Sequence, residues 1–268
     1  MISGGKSHVV AGQPCGRKFI ADTWNLTSPT GHVFNSTWFG NTCDPRMTHA
    51  LVNQCLQNTE IVLIGDCTLR HMFHSIRDLV PCEWDGDDFD TGGKHRSASC
   101  SHVTSNFSLS WIPHGDPFCV YRMPRHYLRS FRATVNSLQK TNHRRIVVFH
   151  VYAHVVNYHS HVFYDIMKDL KSVVEHLLRS HPNTFVAIKG PHAYSFSKSS
   201  DHVLWMPDIY AHIHSHFIWD IFRDLKNRIM YLETLDMTVA SEQFSIHADK
   251  TVIRQQLLRI LDFACSDD

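Results

Sequence analysis

The sequence lacks any long apolar run. Nowhere in its 268 residues do ~18 consecutive apolar positions occur, the length a membrane-spanning helix needs. Near the start only Val9-Val10-Ala11 clusters, too short for a signal-peptide core. The chain as it stands is expected to be soluble and to lack its natural N-terminus. It also has almost no net charge. Lys plus Arg is 26 and Asp plus Glu is 25, a formal +1, which gives neither the basic footprint of a nucleic-acid binder nor that of a membrane-surface protein. There is no Cys-x-x-Cys pair, no internal repeat and no low-complexity tract, which argues against zinc ribbons, solenoids and disordered tails.

What remains is ordinary globular composition, 43% hydrophobic and 19% charged, in a length that suits one large α/β domain or two small ones. Such a chain buries a sizeable core without needing disulfides or a metal for stability. Twenty-two histidines stand out. Imidazole titrates near pH ~6.5, so a mildly acidic compartment would make the chain cationic, and most of these rings are expected on the solvated surface. The eight cysteines are dispersed as disulfide cysteines are, and three N-x-[ST] sequons begin at Asn25, Asn35 and Asn106. Both features point to a secretory setting. With Cys67 set aside seven cysteines remain, so most are expected to pair and at least one to stay free or to bond another chain.

Residues 1–58 are rich in Gly, Pro, Ser, Thr and Asn and form the expected irregular N-terminal segment, packed on the domain through Trp24, Trp38 and Phe39. From residue 59 to 268 the pattern predicts a single α/β domain. Short apolar runs at Glu60–Gly65, Arg145–Val151, Thr184–Lys189 and Ile229–Leu235 predict strands. Spacings of three and four predict helices over 67–79, 161–179, 216–227 and 249–263, with another over 124–140. Residues 81–120 predict a long loop with an irregular strand at Phe107–Trp111. Strand–helix alternation implies a parallel sheet with helices on both faces.

The sharpest motif is Ile64-Gly65-Asp66-Cys67-Thr68-Leu69-Arg70, placed where a strand ends and a helix begins, at the ligand-binding edge of such a sheet. A nucleophile there sits at a helix N-terminus, where the dipole and free N–H groups favour a thiolate and stabilise an oxyanion. The thiol of Cys67 is therefore expected to be more acidic than a free cysteine.

This block resembles the Gly-Asp-Ser block of the SGNH and PC-esterase enzymes, with cysteine in place of serine. The wider context resembles the C-terminal domain of the NXPE (neurexophilin and PC-esterase domain) proteins. Gly31-His-Val-Phe34 with Trp38 and Cys43 is similar to that domain's opening segment. Gly65 to Arg70 is similar to its Gly-Asp-Ser-Thr-x-Arg block, and Ala153-His154 to its Ala-His pair. Asp236-Met-Thr-Val-Ala240 with His247 and Cys265 is similar to its closing block. The resemblance runs from about residue 15 to the end. It implies a three-layer α/β/α SGNH-hydrolase-like parallel sheet, acyl-ester chemistry on glycans, and a secretory-pathway setting, in the Golgi lumen or secreted.

A hydrolase or transferase needs a base beside its nucleophile and a group orienting that base. His247 is the candidate base, placed just before the last helix where SGNH enzymes carry an Asp-x-x-His motif. Phe244 stands where that Asp would be. The orienting acid is then Asp236 or Glu242, and Asp236 is preferred because it follows a predicted strand. Gly65, Asp66, Thr68, Arg70 and His154 complete the expected site. Arg70 pairs either with Asp66 or across the helix surface, and His154 either donates to an oxyanion or is a satisfied core ring. Cys67 itself has a plain alternative, a buried structural thiol.

Three functions follow. The first is an O-acyl esterase or acyltransferase on glycan hydroxyls, needing no cofactor beyond an acyl donor if it transfers. The second is a non-catalytic glycan- or protein-binding module. The third is a zinc hydrolase using His212, His214 and His216, or His150 and His154. That one is disfavoured because no Asp, Glu or Cys complement stands with them.

Overall fold

The computed structural model describes residues 12–85, 96–115, 129–194, 207–242 and 247–266. A short antiparallel hairpin comes first, β1 (Gly31–Phe34) and β2 (Thr37–Gly40). Seven further strands make the main sheet: β3 (Thr59–Gly65), β4 (Glu83–Asp85), β5 (Ala98–His102), β6 (Phe107–Pro113), β7 (Arg144–His150), β8 (Thr184–Lys189) and β9 (Ile229–Leu232). Their order is β4-β5-β6-β3-β7-β8-β9. The five from β6 to β9 run parallel, and β5 and β4 extend one edge antiparallel.

The helices are α1 (His49–Cys55), α2 (Cys67–Leu79), α3 (Phe131–Asn136), α4 (Ser160–Ser180), α5 (Asp208–Phe222), α6 (Leu235–Ala240) and α7 (Lys250–Ala264). The central strands alternate between two cores. Val62, Ile64, Val147, Phe149, Val186 and Ile188 face Phe163, Met167 and Leu170 of α4 and Ile218 and Phe222 of α5. Ile61, Leu63, Ile146, Val148, Ala187 and Met230 face Met72 and Phe73 of α2 and Leu257 and Leu261 of α7. A strand buried on both faces is apolar at every position, which is why β3, β7 and β8 were legible as continuous runs. The result is the three-layer α/β/α architecture the sequence predicts.

The registers set up the site. Gly65 at the end of β3 lies level with Pro113 of β6 and His150 of β7. The chain therefore leaves three neighbouring strands at one edge.

Several elements differ from the sequence reading. The described part of the 81–120 region is more regular than a loop, because β5 and β6 pair with each other and β6 pairs in parallel with β3. The last strand ends at Leu232, and Leu235 buries itself from a helix instead. The helix expected from His216 starts at Asp208. The start of the helix expected over 124–140 lies outside the described residues, and only Phe131–Asn136 is helical within them.

The segment ahead of β3, read from sequence as irregular, carries a 3-10 helix (Arg17–Trp24), the β1–β2 hairpin and α1. It is tied to the main sheet by distant hydrogen bonds. Trp24 Nε1 donates to the Ile229 carbonyl at 2.8 Å, and the Asp262 carboxylate accepts from the Arg46 and Met47 N–H groups at 3.1 and 2.8 Å. Disulfides Cys15–Cys43, Cys55–Cys265 and Cys82–Cys100 add covalent ties. Cys67 is the free thiol among the described residues, and Cys119 lies outside them. Three bridges fit an oxidising compartment. No helix among the described residues is long and apolar enough to cross a membrane.

The Cys55–Cys265 bridge closes a separation of 210 residues and joins α1 to the end of α7. Constraint of so long a loop in the unfolded chain is worth about 2–5 kcal/mol. The double variant Cys55→Ser/Cys265→Ser is expected to lose that much in urea unfolding, and an unchanged midpoint would show the bridge to be absent in solution.

Candidate active site

The turn from β3 into α2 admits only glycine at position 65, because a Cβ there would run into the His150 carbonyl oxygen. Backbone bonds hold the turn from both sides. Asp66 N–H donates to the His150 carbonyl at 3.3 Å, and His114 N–H donates to the Gly65 carbonyl at 3.1 Å.

Asp66 is the N-cap of α2 and has no exposed surface. Its Oδ1 accepts from Thr68 N–H at 2.9 Å and Thr68 Oγ1 at 2.8 Å. Its Oδ2 accepts from the N–H groups of Tyr152 and Ala153 at 3.2 and 3.0 Å. Burial opposes ionisation of this carboxyl, but the surrounding His150, His154, Lys189 and His114 hold it well below the usual carboxylate range. Asp66 thus joins the elbow to the loop after β7.

Cys67 is the first residue of α2 and is half-buried. Its Sγ lies 3.0 Å from Nε2 of His247, across 180 residues of sequence. His247, just ahead of α7, stacks on His71 of α2 with ring centroids 4.2 Å apart. Burial and the neighbouring His247 lower the His71 pKa to about 4, so His71 meets it as a neutral ring.

The expected acidity of Cys67 is reversed. Burial, then the adjacent Asp66 carboxylate, push the thiol up to about 12 against the smaller opposing influence of Arg70, the backbone and Lys189. Burial of the thiol, together with the charge beside it, outweighs the helix N-terminus, whose effect is worth only about 0.3–1 kcal/mol near a surface.

Asp236 is not brought to His247. It sits in the first turn of α6, beyond the strand rather than at its end. Both its oxygens accept from Ser28 Oγ, at 3.0 and 3.2 Å, and Oδ2 also accepts from Thr30 N–H and Oγ1, at 2.7 and 3.0 Å. Among the described residues no hydrogen bond joins it to His247, so the expected part in orienting that ring has no contact behind it. The alternative, Glu242, is exposed in a left-handed turn after α6.

The other expected residues fall around the elbow. His154 Nδ1 lies 2.8 Å from His114 Nε2, so the ring is held by a second histidine. The Arg70 guanidinium sits 5.8 Å from the Trp111 ring centroid. The zinc reading finds no support in the placement of its ligands. His212, His214 and His216 lie on α5, not on a strand, and successive steps of two residues turn His214 away from the other two. His214 is buried and stacks on Phe163 at 4.0 Å. Among the described residues no group of three or more His, Cys, Asp or Glu is set to hold a metal ion.

Residues 38–265 match the family model described as NXPE family member 4-like, C-terminal domain. The chain belongs to the NXPE family. The match starts at the second residue of β2 and takes in the elbow, His247 and Cys265. NXPE membership carries with it an SGNH/PC-esterase-like module, in agreement with the sheet and the elbow.

Two site residues escaped the sequence reading of this NXPE domain. Lys189 ends β8 and His114 follows β6, both buried beside the elbow. The signal for them is a polar residue closing an otherwise apolar strand at the edge where ligands bind.

The buried histidines predict an acid-sensitive fold. His71, His114, His150 and His214 have pKa values lowered by burial from 6.5 to about 4. Between those values they are neutral when folded and protonated when unfolded, so unfolding takes up protons and stability falls as pH drops. Their contribution is fully present above about pH 6.5 and is lost progressively towards pH 4. The urea midpoint near pH ~5 is expected below that near pH ~7.5, and equal midpoints would contradict this.

Proposed function

We propose that this NXPE domain is a secretory-pathway O-acyl esterase or acyltransferase, in the Golgi lumen or secreted, acting on hydroxyls of a glycan or glycoprotein. Cys67 is its nucleophile and His247 its base. The observation that carries the reading is the 3.0 Å approach of Cys67 Sγ to His247 Nε2 at a strand-to-helix elbow. The net charge of +1 supports no nucleic-acid partner.

The raised thiol pKa favours proton transfer at the moment of attack. A thiol near 12 is protonated at rest, so His247 removes the proton as the sulfur attacks the ester carbonyl. The S–H bond breaks, the proton goes to Nε2, and the carbonyl electron pair becomes an oxyanion. Its proposed donors are the Cys67 N–H, at the first position of α2, and His154. Collapse expels the alcohol, which takes the proton from His247 and leaves a thioester. Water releases the acid in an esterase, and a glycan hydroxyl accepts the acyl group in a transferase. No cofactor enters beyond the acyl donor.

A second reading, a non-catalytic glycan- or protein-binding module, draws on the same protonated, half-buried thiol. Turnover of a 4-nitrophenyl acyl ester separates the two. Cys67→Ala and His247→Ala are each expected to lose turnover by about 10²–10⁴-fold while keeping the fold. Cys67→Ser, which restores the hydroxyl that the PC-esterase block carries, is expected to retain or gain activity. If the wild type and Cys67→Ser both fail on every acyl ester tried, the binding-module reading replaces this one.

A further inference from the structure

Lys189 is a buried charge for which the mechanism above has no use. It closes β8, is only 3% exposed, and lies beside a small crevice lined by Thr68, His71, His192 and His247. Two acceptors fix its ammonium. His150 Nδ1 donates to the Lys189 carbonyl at 2.9 Å, so its Nε2 is free to accept from Lys189 Nζ at 3.3 Å. Thr68 Oγ1, one residue beyond the nucleophile, lies 3.4 Å from the same Nζ.

Packing does not account for a cation here. An apolar side chain would close the strand at lower desolvation cost, and a buried ammonium is kept only where a partner or a task offsets that cost. Nor does Asp66 depend on it for hydrogen bonds, because four N–H and O–H donors already serve that carboxylate.

We propose that Lys189 is a positioning residue for the nucleophile: its ammonium, held beneath the elbow by His150 and Thr68, balances the Asp66 carboxylate so that negative charge can develop on Cys67 sulfur. The proposal rests on the reading of Cys67 as nucleophile. Without Lys189, moving the thiol proton to His247 would place an anion next to a buried anion. With it, the sulfur, Asp66 and Lys189 carry one negative charge in all. The remaining titratable or charged groups facing this cluster are Arg70 and His71 on α2, His114 after β6, His150 and His154 at and after β7, His192 and Tyr194 after β8, and His247 ahead of α7. Burial lowers the Lys189 pKa to about 8, so the charge itself fades above that pH.

The test is the pH profile of iodoacetamide alkylation at Cys67, followed by mass spectrometry of its peptide in the full chain. The wild-type rate is expected to climb tenfold per pH unit up to about 8 and then bend as Lys189 loses its proton. Lys189→Met is expected to react about ten times more slowly near neutral pH and to climb without a bend, so the two curves converge in alkali. A structural role alone would not change that shape. If Lys189→Met does not fold, Lys189→Arg carries the test: it keeps its charge above pH 8, so its rate should go on climbing where the wild-type curve bends. Superimposable profiles, an unreactive wild-type Cys67, or a bend in Lys189→Arg at the wild-type pH overturns the proposal. A profile that shifts as described in a chain without ester turnover supports the Lys189 assignment while refuting the esterase reading.

Discussion

A buried carboxylate fixes the geometry of this domain's functional edge. Asp66 is out of contact with water, and its desolvation costs several kcal/mol unless the fold returns it as hydrogen bonds. Four donors do so, two from Thr68 in the first turn of α2 and two from the backbone of Tyr152 and Ala153 after β7. The first pair starts the helix; the second locks the neighbouring strand's exit against it. Gly65 is forced by the same closeness, since the His150 carbonyl occupies the space of a side chain. Removing the carboxylate would leave buried N–H groups unsatisfied on two elements at once, at about 1–3 kcal/mol each.

Burial first, and that carboxylate second, decide what kind of nucleophile Cys67 is. A thiol near 12 is ionised to the extent of about 10⁻⁵ at neutral pH, which closes the pre-formed thiolate route used by cysteine enzymes with acidic thiols. The thiol then resembles a serine hydroxyl, protonated at rest and dependent on an imidazole at attack. An elbow built for a hydroxyl group, beside a buried anion, accounts for both the pKa and the contact to His247. It also explains why serine is the informative substitution rather than a merely conservative one.

Much of the fold was legible because both faces of β3, β7 and β8 are buried, and such strands announce themselves as unbroken apolar runs. The elbow was legible because its glycine, cap and nucleophile are adjacent in sequence. The errors have physical causes. Leu235 continues the apolar pattern of β9, so the strand seemed to reach Asp236; in the molecule the burial is supplied from a helix, and the carboxylate turns to Ser28 and Thr30. The alternation of histidine with other residues over 212–216 imitates a strand, although Ala211, His214, Ser215, Ile218, Ile221 and Phe222 are buried at helical spacing. Lys189 was illegible for a different reason. Its place at the end of an apolar strand marks it as polar, but its meaning depends on Thr68 and His150, 121 and 39 residues away.

The central claim is that Cys67 sulfur takes an acyl group with His247 as its base. The most direct measurement is peptide mass spectrometry of the protein quenched in acid after brief exposure to an activated acyl ester. The account predicts an acyl adduct on the Cys67 peptide, labile to hydroxylamine as a thioester is, and absent in His247→Ala. Unmodified Cys67 in a chain that nevertheless hydrolyses the ester, or an adduct that forms equally well without His247, would contradict it.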